Sequence, residues 1–114
     1  MHRVVITGMG WVTPMGYSID GVWKRLLNGE SGMARTTLFD AGTFPTTFSA
    51  EVKSDYRLED FVPDLSGHPG IGRNTRFAMG ACAQAWQMAG LPPLASHRST
   101  QLTTDNGPHP TPHT

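Results

Sequence analysis

The side chains of this chain that could do chemistry are few. They are a single thiol at Cys82, imidazoles four residues apart at His109 and His113, the pair Gly8 and Gly10, and the arginines Arg73 and Arg76. A cysteine activated as thiolate is a nucleophile for acyl transfer. Two imidazoles at that spacing on a helix would share a face and could hold a divalent ion. Gly-x-Gly after a strand opens the turn that cradles a dinucleotide pyrophosphate. Each of these chemistries makes a demand on the surrounding sequence, and each demand fails.

Cys82 lies in Met79-Gly80-Ala81-Cys82-Ala83-Gln84-Ala85-Trp86, more than two turns into a helical segment, and the nearest cation in sequence, Arg76, is on another face. Neither a helix N-terminus nor a base is at hand to lower its pKa, so it reads as a small, buried core residue. The dinucleotide turn needs a third glycine at position 13 and a helix running through it, but Thr13 and Pro14 stand there. Gly8 and Gly10 are therefore read as serving backbone geometry. Pro110 and Pro112 forbid a helix around His109 and His113, which leaves an inert tail that could hold a metal only weakly, with His97. Arg73 and Arg76 read as a solvated or ion-paired face, Trp23 and Trp86 as core, and Asp40 as a turn acid. No acid/base pair, Ser/His/Asp set or metal cluster emerges, so catalytic, cofactor-binding and metal-ligating residues are all expected to be none.

The elements that would position these residues follow from periodicity. Val4, Val5 and Ile6 are consecutive and apolar, and they predict a strand over residues 3–7, buried on both faces as in a helix-covered parallel sheet. A loop from Gly8 to Ser18 leads to a helix over Asp20–Asn28. Asp20 is its expected N-cap, Val22, Trp23, Leu26 and Leu27 its apolar face, and Gly29 its stop. Phe48, Ala50 and Val52 alternate with polar residues and predict a half-buried strand near a sheet edge. A single helical turn over Leu58–Val62 ends at Pro63, and Pro63 to Gly72 is a loop. The strongest helix is Arg73–Gly90. Its stripe Ala78, Cys82, Ala85 and Ala89 would admit a second backbone, with Phe77, Trp86 and Met88 beside it and Gly90 as the cap before Pro92.

At 114 residues the chain holds at most one domain. Residues 92–114 carry five of the nine prolines but only Leu94, Ala95 and Leu102 as apolar side chains, too few to offset the entropy of ordering. The expected division is a body over 1–91 and a disordered Pro/His/Thr-rich tail over 92–114. Nine basic and nine acidic residues give no net charge and no basic stripe, which argues against nucleic acid as partner. One cysteine excludes an internal disulfide and fits a reducing cytoplasm. The apolar run at the N-terminus is too short for a secretory signal, and no segment is long enough to span a bilayer. A doubly buried strand needs neighbours on both sides, and this chain supplies at most one. The inventory predicts an incomplete piece of an α/β protein.

The order of segments resembles a known family. Arg3-Val4-Val5-Ile6-Thr7-Gly8-Met9-Gly10, then Thr13-Pro14-Met15-Gly16, Val22-Trp23 with Leu26-Leu27, Gly29 and Ser31-Gly32 is similar to the start of a β-ketoacyl-[acyl-carrier-protein] synthase. The similarity continues through Phe39-Asp40, Phe48-Ser49-Ala50-Glu51-Val52, and Arg73 to Ala89-Gly90-Leu91. The resemblance implies a thiolase-like layered α/β fold, a homodimer partner and acyl carrier protein as the donor. It implies acyl transfer to a cysteine, decarboxylation of malonyl-carrier and Claisen condensation, with two histidines stabilising the enolate. Gly80-Ala81-Cys82-Ala83 does not match the family's cysteine motif, and none of the five histidines matches a catalytic one. The expectation is the amino-terminal part of a fatty-acid condensing enzyme, truncated or mis-framed and inactive alone. The alternative is a non-catalytic packing or interaction module, and a metal-binding tail on an α/β stub is the third reading.

Overall fold

The computed structural model describes residues 1–93. Along them run helix α1 (Ile19–Leu27), strands β1 (Met33–Arg35) and β2 (Phe48–Ala50), a 3₁₀ turn (Leu58–Asp60) and helix α2 (Arg73–Met88). The two strands pair antiparallel, Met33 opposite Ala50 and Arg35 opposite Phe48. This is a small mixed helix/strand structure, and the parallel sheet expected from the sequence is absent among the described residues. The expected tail lies outside them from residue 94 onward.

Both helices form where the sequence places them, but their ends differ in detail. Asp20 does not cap α1. Ser18 does, its Oγ accepting from the Gly21 amide at 3.1 Å, while Asp20 sits in the first turn where its charge suits the positive end of the helix. Each helix then closes with the same pair of reverse hydrogen bonds around a glycine at positive φ. Gly29 (φ 71°) donates to Leu26 and Glu30 to Arg25; Gly90 (φ 70°) donates to Gln87 and Leu91 to Trp86. In α1 the side chains of that last pair, Arg25 and Glu30, also form an ion pair at 3.8 Å.

The core is small. Among the described residues only Val22, Ala41 and Leu58 are buried apolar side chains, Leu58 completely. Near Leu58 in the chain lies an aromatic cluster: Tyr56 lies edge-on to Tyr17 (5.1 Å) and Phe77 (5.3 Å) and stacks on Phe61 (5.9 Å). The Tyr56 hydroxyl donates to the Arg76 carbonyl at 2.7 Å, fastening this cluster to α2. Gly80, the one buried residue of α2, lies under that ring, and a Cβ there would overlap the hydroxyl.

Several expectations about burial are overturned. Residues 3–7 form no strand, and Val4, Val5 and Ile6 are 93%, 73% and 86% exposed, because no described strand offers its edge to them. Trp23, Leu26 and Leu27 are exposed, leaving Val22 as the only buried residue of the expected α1 face, and Trp86 is partly exposed with its indole N–H on the Pro92 carbonyl. The phase of β2 is reversed: Ser49 is half-buried while Phe48 and Ala50 face out, and the strand stops before Val52. The hydroxyls of Thr36 and Ser49 meet at 2.8 Å across the sheet, so a polar pair, not an apolar face, fixes this hairpin. Its partner β1 lies in the Ser/Gly/Thr-rich connection that no periodicity marks. Cys82 is exposed, as is Ala78, because the small-residue stripe that α2 turns toward its neighbour is rotated from the expected one.

Candidate functional site

That stripe keeps the expected Ala85 and Ala89 and adds Ala81 in place of Ala78 and Cys82, and its neighbour is the glycine pair. A Cβ on Gly8 would overlap the Ala85 carbonyl oxygen, and one on Gly10 the Ala81 carbonyl oxygen. Gln84 donates its amide to the Trp11 carbonyl at 2.9 Å, and the Met9 amide points at the Met88 sulfur at 3.3 Å. The glycines are therefore required for close approach of two backbones. They face the carbonyl oxygens of the C-terminal half of α2, the negative end of the helix, so the arrangement repels a phosphate instead of cradling one.

Arg73 and Arg76 are brought together with the loop that precedes α2. Arg73 donates to the Val52 carbonyl at 2.7 Å and lies over the Phe77 ring at 5.0 Å; Arg76 pairs with Glu59 at 3.4 Å. The Glu59 carboxyl is held below its ordinary range by its backbone hydrogen bond and by Arg76. Both arginines act as tethers. Asp40 accepts from the Gly42 amide at 3.0 Å, the turn role expected of it.

Three ionisable residues passed over in the sequence have defined environments. Tyr17 donates to Asp55 at 2.5 Å, and partial burial together with this carboxylate pushes its phenol up to about 12. Tyr56 is raised too, chiefly by burial. Glu51 accepts from the Thr37 hydroxyl at 2.7 Å and from the amides of Thr37 and Leu38, bonds that hold its carboxyl low. Tyr17 and Tyr56 are the only two tyrosines, the one sequence signal that could have marked them. Glu51 carries none.

Two shallow clefts flank the hairpin. The larger, about 450 Å³, runs between Arg25, Glu30, Met33, Glu51 and Lys53. Its acids are already engaged, Glu30 by Arg25 and Glu51 by Thr37. The smaller, about 330 Å³, lies at Arg35, Thr36, Asp40 and Thr47. Neither joins a nucleophile to a base. Among the described residues no group of three or more His, Cys, Asp or Glu could hold a metal, and no helix is long and apolar enough to cross a membrane. His97, His109 and His113 lie outside the described residues.

This architecture, a glycine pair laid on a small-residue helix, has a family context. Residues 1–105 match the family model described as the β-ketoacyl synthase N-terminal domain. The chain belongs to the β-ketoacyl synthase family. Over 94 residues, 79% of this chain, it is 42% identical to 3-oxoacyl-[acyl-carrier-protein] synthase 2 of Coxiella burnetii, a stretch that is 21% of that protein. Over 61 residues, 54% of this chain, it is 47% identical to 3-oxoacyl-[acyl-carrier-protein] synthase 2 of Vibrio harveyi, covering 14% of it. Over 71 residues, 53% of this chain, it is 41% identical to the chloroplastic 3-oxoacyl-[acyl-carrier-protein] synthase I of Hordeum vulgare, covering 15% of it. The chain thus spans about a fifth, or less, of the curated relatives it matches. The β-ketoacyl synthase match extends through residue 105.

Proposed function

We propose that this chain is the amino-terminal portion of a fatty-acid condensing enzyme and acts as its scaffold, without a catalytic group of its own. The whole enzyme would move an acyl group from acyl carrier protein onto a cysteine, decarboxylate malonyl-carrier and join the two by Claisen condensation. It would work in the cytoplasm as a homodimer. The family match over residues 1–105 carries this reading. Within the proposed body, residues 1–91, the groups of the right type are disposed for packing: Cys82 is exposed with no base beside it, and Arg73, Arg76 and Tyr56 fasten α2 to the preceding loop. Residues 92–114 are proposed as a tail outside that body.

The test is incubation of the chain with acyl- and malonyl-carrier protein, followed by intact mass. The expected result is no covalent adduct and no condensed product. An adduct on Cys82 that disappears in Cys82→Ala, together with condensed product, would overturn the reading. The exposed run Val4–Ile6 favours a second reading, a non-catalytic module that packs against another polypeptide. That reading expects co-purification with a longer synthase-like chain, and a chain recovered alone under gentle extraction counts against it.

A further inference from the structure

Among the described residues, two hydrogen bonds hold residues 8–11 to α2. One runs from the Gln84 side-chain amide to the Trp11 carbonyl at 2.9 Å, the other from the Met9 amide to the Met88 sulfur at 3.3 Å. Of the six methionines, Met88 is the one whose sulfur fastens another segment of the chain. Met88 is also half exposed, within reach of an aqueous oxidant. Independently of the reading above, we propose that Met88 is a site of reversible sulfoxidation that releases residues 8–11 from α2.

Hydrogen peroxide supplies the oxygen. A sulfur lone pair attacks one peroxide oxygen, the O–O bond breaks as the S–O bond forms, and the sulfur loses two electrons while the peroxide is reduced to water. The thioether is a weak acceptor for the Met9 N–H, and oxidation makes the group larger and polar. An oxygen set between the two atoms does not fit. An N–H···O bond alone takes about 2.9 Å, and the whole gap from nitrogen to sulfur is 3.3 Å. The segment cannot slide to make room, because Gly8 and Gly10 already meet the Ala85 and Ala81 carbonyls with no space for a Cβ. Either the Met88 side chain swings out or the segment lifts, and in both cases the Met9 amide loses its acceptor. No apolar cover offsets the loss, since Val4, Val5 and Ile6 are exposed. The Tyr56 bond to the Arg76 carbonyl lies about three turns away along α2 and is untouched.

Dilute hydrogen peroxide on the full chain, with each sulfoxide located by peptide mass and the amides followed by NMR, tests this. Oxidation of Met88 is expected to speed amide exchange at Met9 about three- to tenfold. The Gln84 side-chain amide should move toward its free position, while the Tyr56 and Arg76 signals stay in place. Methionine sulfoxide reductase should restore both changes. Met88→Leu keeps the volume but has no acceptor. It should show the faster Met9 exchange without peroxide and no further response to it, even as the exposed Met1 and Met33 are oxidised. Met9→Leu retains the amide and should respond like the parent. A Met88 that stays reduced while Met1 and Met33 oxidise, a Met88 sulfoxide with unchanged Met9 exchange, or a Met88→Leu chain that responds to peroxide as the parent does would each overturn the proposal.

Discussion

The two ends of α2 are held in different ways. At its N-terminal half, Tyr56 packs on Gly80 and against the rings of Phe61 and Phe77, Leu58 is buried in the adjoining turn, and the arginines reach back to Val52 and Glu59, so apolar burial and hydrogen bonds act on the same segment. At its C-terminal half, Gly8 and Gly10 touch the helix backbone, but the chain leading to them buries nothing: Val4 to Ile6 stay in solvent. Burial of apolar surface is the main source of stability, and close backbone contact without it fixes position only. The first end is a core in miniature. The second is a close backbone seam without apolar cover.

The largest test of that contrast is Leu58→Ala. Leu58 is fully buried, and removing such a side chain costs about 2–5 kcal/mol. Three buried side chains leave no reserve against a loss of that size, so the cooperative thermal transition should vanish. Val5→Thr, at an exposed site, should change stability by less than about 0.5 kcal/mol. If the two variants melt alike by circular dichroism, the division between the two ends is wrong.

Gly80→Ala ranks next. Overpacking against the Tyr56 ring should cost about 1–3 kcal/mol, against a gain of about 1 kcal/mol in helix propensity. A net loss of about 1 kcal/mol is expected in denaturant titration. The same change in a Tyr56→Phe background should cost less, because the overlapped hydroxyl is gone. Equal costs in both backgrounds would remove the Tyr56–Gly80 contact from the account.

At the other end, Gly8→Ala meets a helix carbonyl that has no room to yield. Residues 1–11 should detach, the Gln84–Trp11 bond should break, and Trp11 emission should shift to the red, with little change in overall stability. Amide exchange in the parent chain should already be fast at residues 3–7 and slowest around Phe77–Gln84. Strong protection of Val4–Ile6 would show that the run finds cover within one copy.

The helices, the 3₁₀ turn and the Asp40 turn were legible because their signals are local: periodicity, a stop glycine, a proline, an Asx bond. The N-cap was missed by two residues because Ser18 and Asp20 are both capping types, and only the Ser18 backbone is extended. β1 was invisible because three residues, Met33–Arg35, show no alternation. Its pairing with β2 joins residues thirteen or more positions apart in sequence, with the Thr36–Ser49 hydroxyl contact beside it. Burial was the least legible property. Val4–Ile6, Trp23 and Cys82 have the composition of core residues, but burial depends on what lies opposite, and that is not encoded in the run itself. At the candidate site it was readable that Gly8 and Gly10 serve backbone geometry. The steric role of Gly8 and Gly10 was not, since it needs α2 beside them.

The smallest effect expected is electrostatic, and it probes how the loop around residue 55 is joined to Tyr17. The Tyr17 phenol is pushed from 10.0 up to about 12 in the fold, first by burial and then by its bond to the Asp55 carboxylate. A raised pKa means that the fold favours the neutral phenol. Its contribution is therefore complete below pH 10.0 and is lost as pH climbs from 10.0 through about 12. Spectrophotometric titration at the phenolate band should show Tyr17 ionising near 12, and Tyr17→Phe should delete that step. In Asp55→Asn the step should move down toward 10.0, because the carboxylate that opposes a phenolate is gone while partial burial remains. A step that stays near 12 in Asp55→Asn would assign the whole shift to burial and leave the 2.5 Å contact without electrostatic consequence.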